Sequence, residues 1–243
     1  MTGEPALVRL DDAAIQAVAL SALELIADGS HVGLGSGRTA AEFIVQLGAR
    51  VRQGWRVTGV ATSSASARLA RAVGIPLVDL EEQTRLDLTV DGADEVAPNL
   101  DLVKGLGGAL VRERVVAAAS NRQVILVDSG KLVRALGERH RIPVEVLPFA
   151  VGPVVRQLKA LGLAPRLRTQ AGASSPALSD NGNCTLDCAV AEPLANGAAA
   201  RSLEAAMRSV AGVVDTGLFL GTAERVLVGY PDQHVETLHR TES

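Results

Sequence analysis

The chain has 243 residues, 47% of them apolar and 21% charged, with a formal net charge of −3. That composition belongs to a folded globular protein with one large core or two unequal ones, and it excludes a disordered chain. Arg and Lys are scattered without a basic block, and no apolar run is long enough to span a bilayer, so neither nucleic acid nor membrane is expected as a partner. Met1-Thr2-Gly3-Glu4-Pro5 lacks the basic-then-apolar layout of a signal peptide, which makes a cytoplasmic protein the expectation.

Residues 10–27 form the first predicted helix, with Ile15, Val18, Ala19, Ala22, Leu23 and Ile26 at helical spacing. A strand over 31–35 leads to a helix over 39–47. A strand over 56–61 leads to a helix over 64–73. Short apolar strands follow at 75–80 and 86–90, then a helix over 109–119 and a strand over 123–127. Strands separated by helices argue for a mostly parallel sheet covered on both faces.

After residue 140 the rhythm changes to strand (141–147), helix (151–161), two or three strands (165–169, 177–179, 184–190), helix (198–210) and strand (213–220). That order is close to the split β-α-β pattern of ferredoxin-like domains. Asp180-Asn181-Gly182-Asn183 reads as a hairpin turn, since Asn and Gly tolerate positive φ. A last strand, 225–228, is expected to return to the first sheet, and the weakly apolar tail from Pro231 to fray. The fold expected is therefore α/β. A Rossmann-like, mostly parallel sheet domain spans 1–138 and 218–243, and a smaller α+β, ferredoxin-like domain is inserted over 139–217.

Cys184 and Cys188 alternate with Leu186 along a strand and read as small buried hydrophobes. Four residues apart on an extended chain, they are too distant for a disulfide. The histidines (His31, His140, His234, His239) are not spaced to complete a metal site with them.

Ligands of open parallel sheets sit beyond the carboxyl ends of the strands. Four polar clusters fall there: Ser36-Gly37-Arg38-Thr39, Thr62-Ser63-Ser64, Asp91 to Glu95, and Asp128 to Lys131. Gly33 to Thr39 is a Gly-rich strand-to-helix turn that can cradle an anion on helix N–H groups, with Ser36, Thr39 and Arg38 as further donors. It fits neither a Walker loop nor a dinucleotide fingerprint, and a tight turn with a capping Ser reads equally well.

Asp91 and Asp94 follow an apolar strand directly, as turn formers or as functional acids. Lys104 opens Gly105-Leu106-Gly107-Gly108, where its ammonium can neutralise an oxyanion, or it is a solvated loop lysine. Glu113 stands early in the next helix, beside an apolar face read as Leu110, Val111, Ala117 and Ala118. It reads as a surface Glu favoured by the helix dipole, or as a general base whose pKa burial would have to raise.

Five segments then resemble a known family: 91–95 (Asp-Gly-Ala-Asp-Glu), 104–113 (Lys-Gly-Leu-Gly-Gly-Ala-Leu-Val-Arg-Glu), 143–149 (Pro-Val-Glu-Val-Leu-Pro-Phe), 180–183 (Asp-Asn-Gly-Asn) and 212–221 (Gly-Val-Val-Asp-Thr-Gly-Leu-Phe-Leu-Gly). In order and spacing they resemble the type A ribose-5-phosphate isomerases from about residue 10 to 230. The resemblance implies reversible isomerisation of ribose 5-phosphate and ribulose 5-phosphate, without metal or organic cofactor, in a homodimer or homotetramer. It implies Glu113 as the base that shuttles a proton between the first two sugar carbons through an enediolate. Asp91 and Asp94 would hold sugar hydroxyls and assist ring opening, and Lys104 would steady the oxyanion. Ser36, Gly37, Arg38, Thr39, Gly92, Ala93, Gly105, Leu106, Gly107 and Lys131 would complete the substrate site.

The chain departs from the family pattern at the phosphate end. The usual Gly-Thr-Gly-Ser-Thr is Gly35-Ser36-Gly37-Arg38-Thr39 here, and the first helix carries Ile15-Gln16 where a lysine is common. Arg38 is expected to replace that charge. Asp215-Thr216 stands where Glu-His is common. An isomerase for another sugar phosphate, or a non-catalytic sugar-phosphate sensor, are the alternative readings.

Overall fold

The structure is a computed structural model that describes residues 10–82 and 84–240. The N-terminal pentapeptide lies outside the described residues. Six strands form the main sheet in the order β13-β12-β6-β3-β1-β2. They are β1 (His31–Leu34), β2 (Thr58–Ala61), β3 (Leu88–Gly92), β6 (Gln123–Asp128), β12 (Arg225–Gly229) and β13 (Val235–His239). All pairings are parallel except β12 with β13.

The central strands are apolar runs because both faces are covered. Along β6, Val124 and Leu126 enter one core, and Ile125 and Val127 enter another, as the two-residue period of a strand requires. The first core lies under α1 (Leu10–Leu23) and α2 (Arg38–Arg52), with Phe43, Ile44 and Leu47 fully buried. The second packs Leu110 of α4 (Leu110–Ala118) against Phe219 and Val226. α3 (Ser64–Ala72) begins at Ser63, whose hydroxyl accepts the N–H of Ser66.

Residues 142–216 build a separate four-stranded antiparallel sheet. Its strands are β7 (Ile142–Val146), β8 (Ala164–Leu167), β9 (Cys184–Ala189) and β10 (Val213–Thr216), ordered β10-β7-β9-β8. With α5 (Val151–Ala160) after β7 and α6 (Gly197–Arg208) after β9, this is the ferredoxin-like order. Cys184 and Cys188 are free and buried beside Leu186 in its core. A small third sheet joins the two units: β4 (Glu95–Val96), β5 (Leu102–Val103) and β11 (Leu218–Phe219).

Several expected elements take another form. Residues 75–80 contribute only a bridge from Leu77 to Gly59; Pro76 has no N–H to continue a ladder. Residues 177–179 make isolated bridges rather than a strand. The strand expected over 213–220 breaks at Gly217, which donates its N–H to Pro143 O and accepts Lys104 N–H, so its halves belong to different sheets. A Cβ on Gly217 would stand 2.3 Å from Lys104 O, so only glycine permits this junction. The tail does not fray at 235–239, which form β13; residues 241–243 lie outside the described residues. The first helix ends at Leu23 rather than 27, passing into turns.

Candidate active site

The carboxyl ends of β2, β1, β3 and β6 lie side by side, so the four polar clusters of the sequence meet at one sheet edge. Between them is a cavity of about 290 Å³. Its walls carry Ser36 to Thr39 from the β1–α2 turn, Gly92 to Asp94 after β3, and Lys104, Gly105 and Gly107 after β5. Glu113 from α4 and Asp128 and Lys131 after β6 complete it. Of the residues singled out in the sequence, Asp91 and Leu106 do not line this cavity, nor do Thr62, Ser63, Ser64 and Glu95. Asp91 is fully buried behind it, and Leu106 is partly exposed on the far side of its loop.

Gly37, with φ of 88°, turns the chain into α2, whose first N–H groups have no side-chain cap and whose first turn has no acid. The helix thus turns its N-terminal N–H groups and positive dipole end to where its turn lines the cavity. Arg38 and Thr39 stand at that end, and Lys131 faces the same cavity. The Ser36 hydroxyl lies 2.8 Å from Thr62 Oγ1 and 3.3 Å from Ser66 Oγ, so it ties β1 to β2.

Asp91 anchors the centre. Its Oδ1 accepts the N–H groups of Ser36 (2.9 Å) and Gly92 (2.8 Å), and its Oδ2 faces Lys104 Nζ at 2.9 Å. Gly35 permits this closeness: a Cβ there would stand 2.2 Å from Asp91 Oδ1. Lys104 Nζ also donates to Gly92 O at 2.5 Å and lies 3.2 Å from Glu113 Oε2. Asp91 Oδ2 and Glu113 Oε2 have no well-aligned hydrogen bond, so Lys104 meets both as close charges rather than as a directed donor.

Burial and neighbouring charge compete at Lys104 and Glu113. Asp91, Lys104 and Glu113 are 0%, 2% and 5% exposed. Burial alone would discharge Lys104, but Asp91 first and then Glu113 outweigh it and hold its pKa above the ordinary lysine value. Burial pushes the Glu113 carboxyl up to about 8, with Lys104 opposing and the charge of Asp91 adding. The surface reading of Glu113 is therefore overturned. The buried stripe of α4 is Leu110, Glu113 and Val116, not the Leu110-Val111-Ala117-Ala118 face expected.

Sequence reasoning did not single out the residues that hold these groups in place. Arg114 donates to Asp215 (2.5 Å), Thr216 O and Leu218 O, and its guanidinium stacks 4.2 Å over the Phe219 ring. Arg112 donates to Asn181 Oδ1 and Asp180 O. Glu145, fully buried, accepts from Ser179, Asn181 and Asn183 and so shapes the 179–183 turn. Both neighbours of Glu113 are thus clamped by the antiparallel unit. Most of these residues lie in the segments that carry the family resemblance; Arg114 and Ser179 do not.

The family model for ribose 5-phosphate isomerase A (phosphoriboisomerase A) matches residues 58–233. The chain belongs to the ribose 5-phosphate isomerase A family. A ribose-5-phosphate isomerase A of Gloeobacter violaceus is 50% identical over 214 residues, covering 88% of this chain and 90% of that protein. The structure of the ribose 5-phosphate isomerase A of Methanocaldococcus jannaschii superposes with a TM-score of 0.87 at 39% identity, covering 94% and 98% of the two chains. A D-ribose-5-phosphate isomerase solved with phospho-erythronic acid gives 0.89 at 33% identity, covering 95% and 99%. Among the described residues, no helix is long and apolar enough to cross a membrane, and no group of three or more His, Cys, Asp or Glu could hold a metal.

Proposed function

We propose that the chain interconverts ribose 5-phosphate and ribulose 5-phosphate, with Glu113 as the base. The observation that carries this reading is a buried carboxyl 3.2 Å from a buried ammonium on the wall of a sugar-sized cavity. In the open-chain aldose, ionised Glu113 takes the C2 proton, and the electron pair forms the C1–C2 double bond of an enediolate. The charge arriving on O1 is balanced by Lys104, whose ammonium is already desolvated and costs nothing to reorganise. The O2 hydroxyl proton then passes to O1, and Glu113 returns its own proton to C1 as the carbonyl forms at C2. Atoms and electrons balance without a redox partner.

Asp94 lines the cavity and is the acid placed to touch sugar hydroxyls. Asp91 acts from behind, by fixing Lys104 and the 36–37 turn. The phosphate belongs at the N-terminus of α2, with Thr39, Arg38 and Lys131. In this reading the parallel-sheet portion, 1–138 with 218–243, is the catalytic domain, and 139–217 is an inserted small domain. A cytoplasmic homodimer or homotetramer is part of the proposal; the fully exposed Phe149, with Leu147 and Val214 half-exposed, supports an assembly surface on the small unit.

The test is purified protein with ribose 5-phosphate, following ribulose 5-phosphate with and without a chelator. Glu113→Gln should abolish turnover and keep substrate binding. Near-normal kcat in that variant would reassign the base, and loss of wild-type activity with chelator would remove the metal-free mechanism.

A further inference from the structure

The loop after Lys104 is gripped from the far side by an arginine that the proposed chemistry does not use. Arg168, one residue beyond β8, donates Nη1 to Leu106 O (3.0 Å) and Gly105 O (3.3 Å). Its Nε and Nη2 donate to Asp187 Oδ2 (3.0 Å) and Oδ1 (2.5 Å) on β9. Arg168 is absent from the walls of the cavity that holds Lys104 and Glu113.

A guanidinium is planar, so once Asp187 occupies one edge the two N–H groups of the remaining nitrogen are fixed in direction. Those directions end on the two carbonyls. A trans peptide points its N–H opposite to its C=O. Holding Gly105 O therefore turns the Leu106 N–H the other way, where it bonds Asp94 Oδ2 at 2.9 Å. Holding Leu106 O likewise turns the Gly107 N–H away from Arg168, and Gly107 lines the cavity. The turn is closed by Gly108 N–H on Gly105 O at 3.0 Å. Gly105 (φ 98°) and Gly108 (φ 83°) take left-handed conformations at its two ends, so the loop has little stiffness of its own.

We propose that Arg168, aimed by Asp187, is a positioning residue that sets the peptide planes of the 105–107 loop against the enediolate, from the antiparallel unit and without touching substrate. This rests on the isomerase reading given above. It makes the transition state, rather than the bound sugar, the state that suffers when the arginine is lost.

The experiment compares Arg168→Lys, Arg168→Met and Asp187→Asn with wild type on ribose 5-phosphate. Inhibition by phospho-erythronic acid and by inorganic phosphate is measured in parallel. The carboxylate of phospho-erythronic acid has the planar shape and charge of an enediolate end; inorganic phosphate reports the anion cradle alone. Misplacing the loop should lower kcat by about 30–100-fold in both Arg168 variants, with KM within about threefold of wild type. Asp187→Asn, which keeps the arginine but weakens its aim, should lose about 5–10-fold. Inhibition by phospho-erythronic acid should weaken in step with kcat while that by phosphate stays unchanged. Lys keeps the stem and the charge but not the fork, so it separates aim from charge and guards against loss of folding.

A kcat within about twofold of wild type in both Arg168 variants would overturn the proposal, as would equal weakening of both inhibitors. If wild type fails to isomerise ribose 5-phosphate, or Glu113→Gln stays active, the isomerase reading is what fails, whatever the Arg168 variants do.

Discussion

Replacing Glu113 with Gln should stabilise the folded protein at alkaline pH while stopping turnover. Burial lifts the Glu113 carboxyl from an ordinary 4.5 to about 8. A carboxyl raised on folding contributes stability that is complete below about pH 4.5 and is lost as pH climbs to about 8, because over that interval the unfolded chain ionises while the buried carboxyl stays protonated. At about 1.4 kcal/mol per pH unit, the interval corresponds to about 5 kcal/mol. Water entering the cavity brings the expected value to about 2–5 kcal/mol. Gln keeps the volume of the protonated acid and cannot ionise, so its stability should not follow that decline. Chemical unfolding of both proteins at about pH 5, 7 and 9 measures the difference, which should be near zero at the acid end and grow toward the alkaline end. In thermal scans it is worth about 2–4 °C per kcal/mol for a chain of this length. Parallel stability curves for the two proteins across that range would refute a buried, raised Glu113.

The same pKa requires kcat/KM of the wild type to rise with pH through about 8, since only the ionised carboxylate can accept a proton; a profile flat from pH 6 to 9 would contradict it. Arg38→Ser should raise KM for the phosphorylated sugar while leaving kcat nearly intact, read from initial rates, and an unchanged KM would end the role of Arg38 as the replacement cation. Gly35→Ala places a methyl 2.2 Å from Asp91 Oδ1 and should cost about 100-fold in kcat/KM by shifting the carboxylate that holds Lys104. Arg114→Met leaves the buried Asp215 without its 2.5 Å partner and should cost about 3 kcal/mol in unfolding experiments.

Much of the site was legible because parallel strands put their polar ends at one place. Ser36 to Thr39, Asp94 and Lys131 follow parallel strands, and position alone carries them to the cavity; Lys104 follows the two-residue β5, which carries no period. Glu113 was less legible, since a Glu in a first helical turn suits solvent as well as a base, and only tertiary packing decides that Leu110, Glu113 and Val116 share the buried stripe. The parallel sheet and ferredoxin-like order were readable from periodicity. The third sheet was not, because β4, β5 and β11 are two residues each and carry no period. Pro76 and Gly217 were the visible breakers that apolar runs had masked. The clamps of Arg112, Arg114 and Arg168 lie between positions 60 or more apart, and nothing local marks which arginine will find which partner.

The Gly217 junction ties the timing of activity to synthesis. Lys104 hangs its backbone N–H on Gly217 O, and Arg114 on α4 waits for Asp215, Thr216 and Leu218. A nascent chain emerging N-terminus first has made Lys104 and Glu113 about a hundred residues before it makes their supports. Until that stretch has left the ribosome and docked, a desolvated Lys104 and a raised Glu113 have no frame to sit in. Isomerase turnover should therefore appear only after residues 215–218 have been made and docked, which makes catalysis itself a report that both halves have come together.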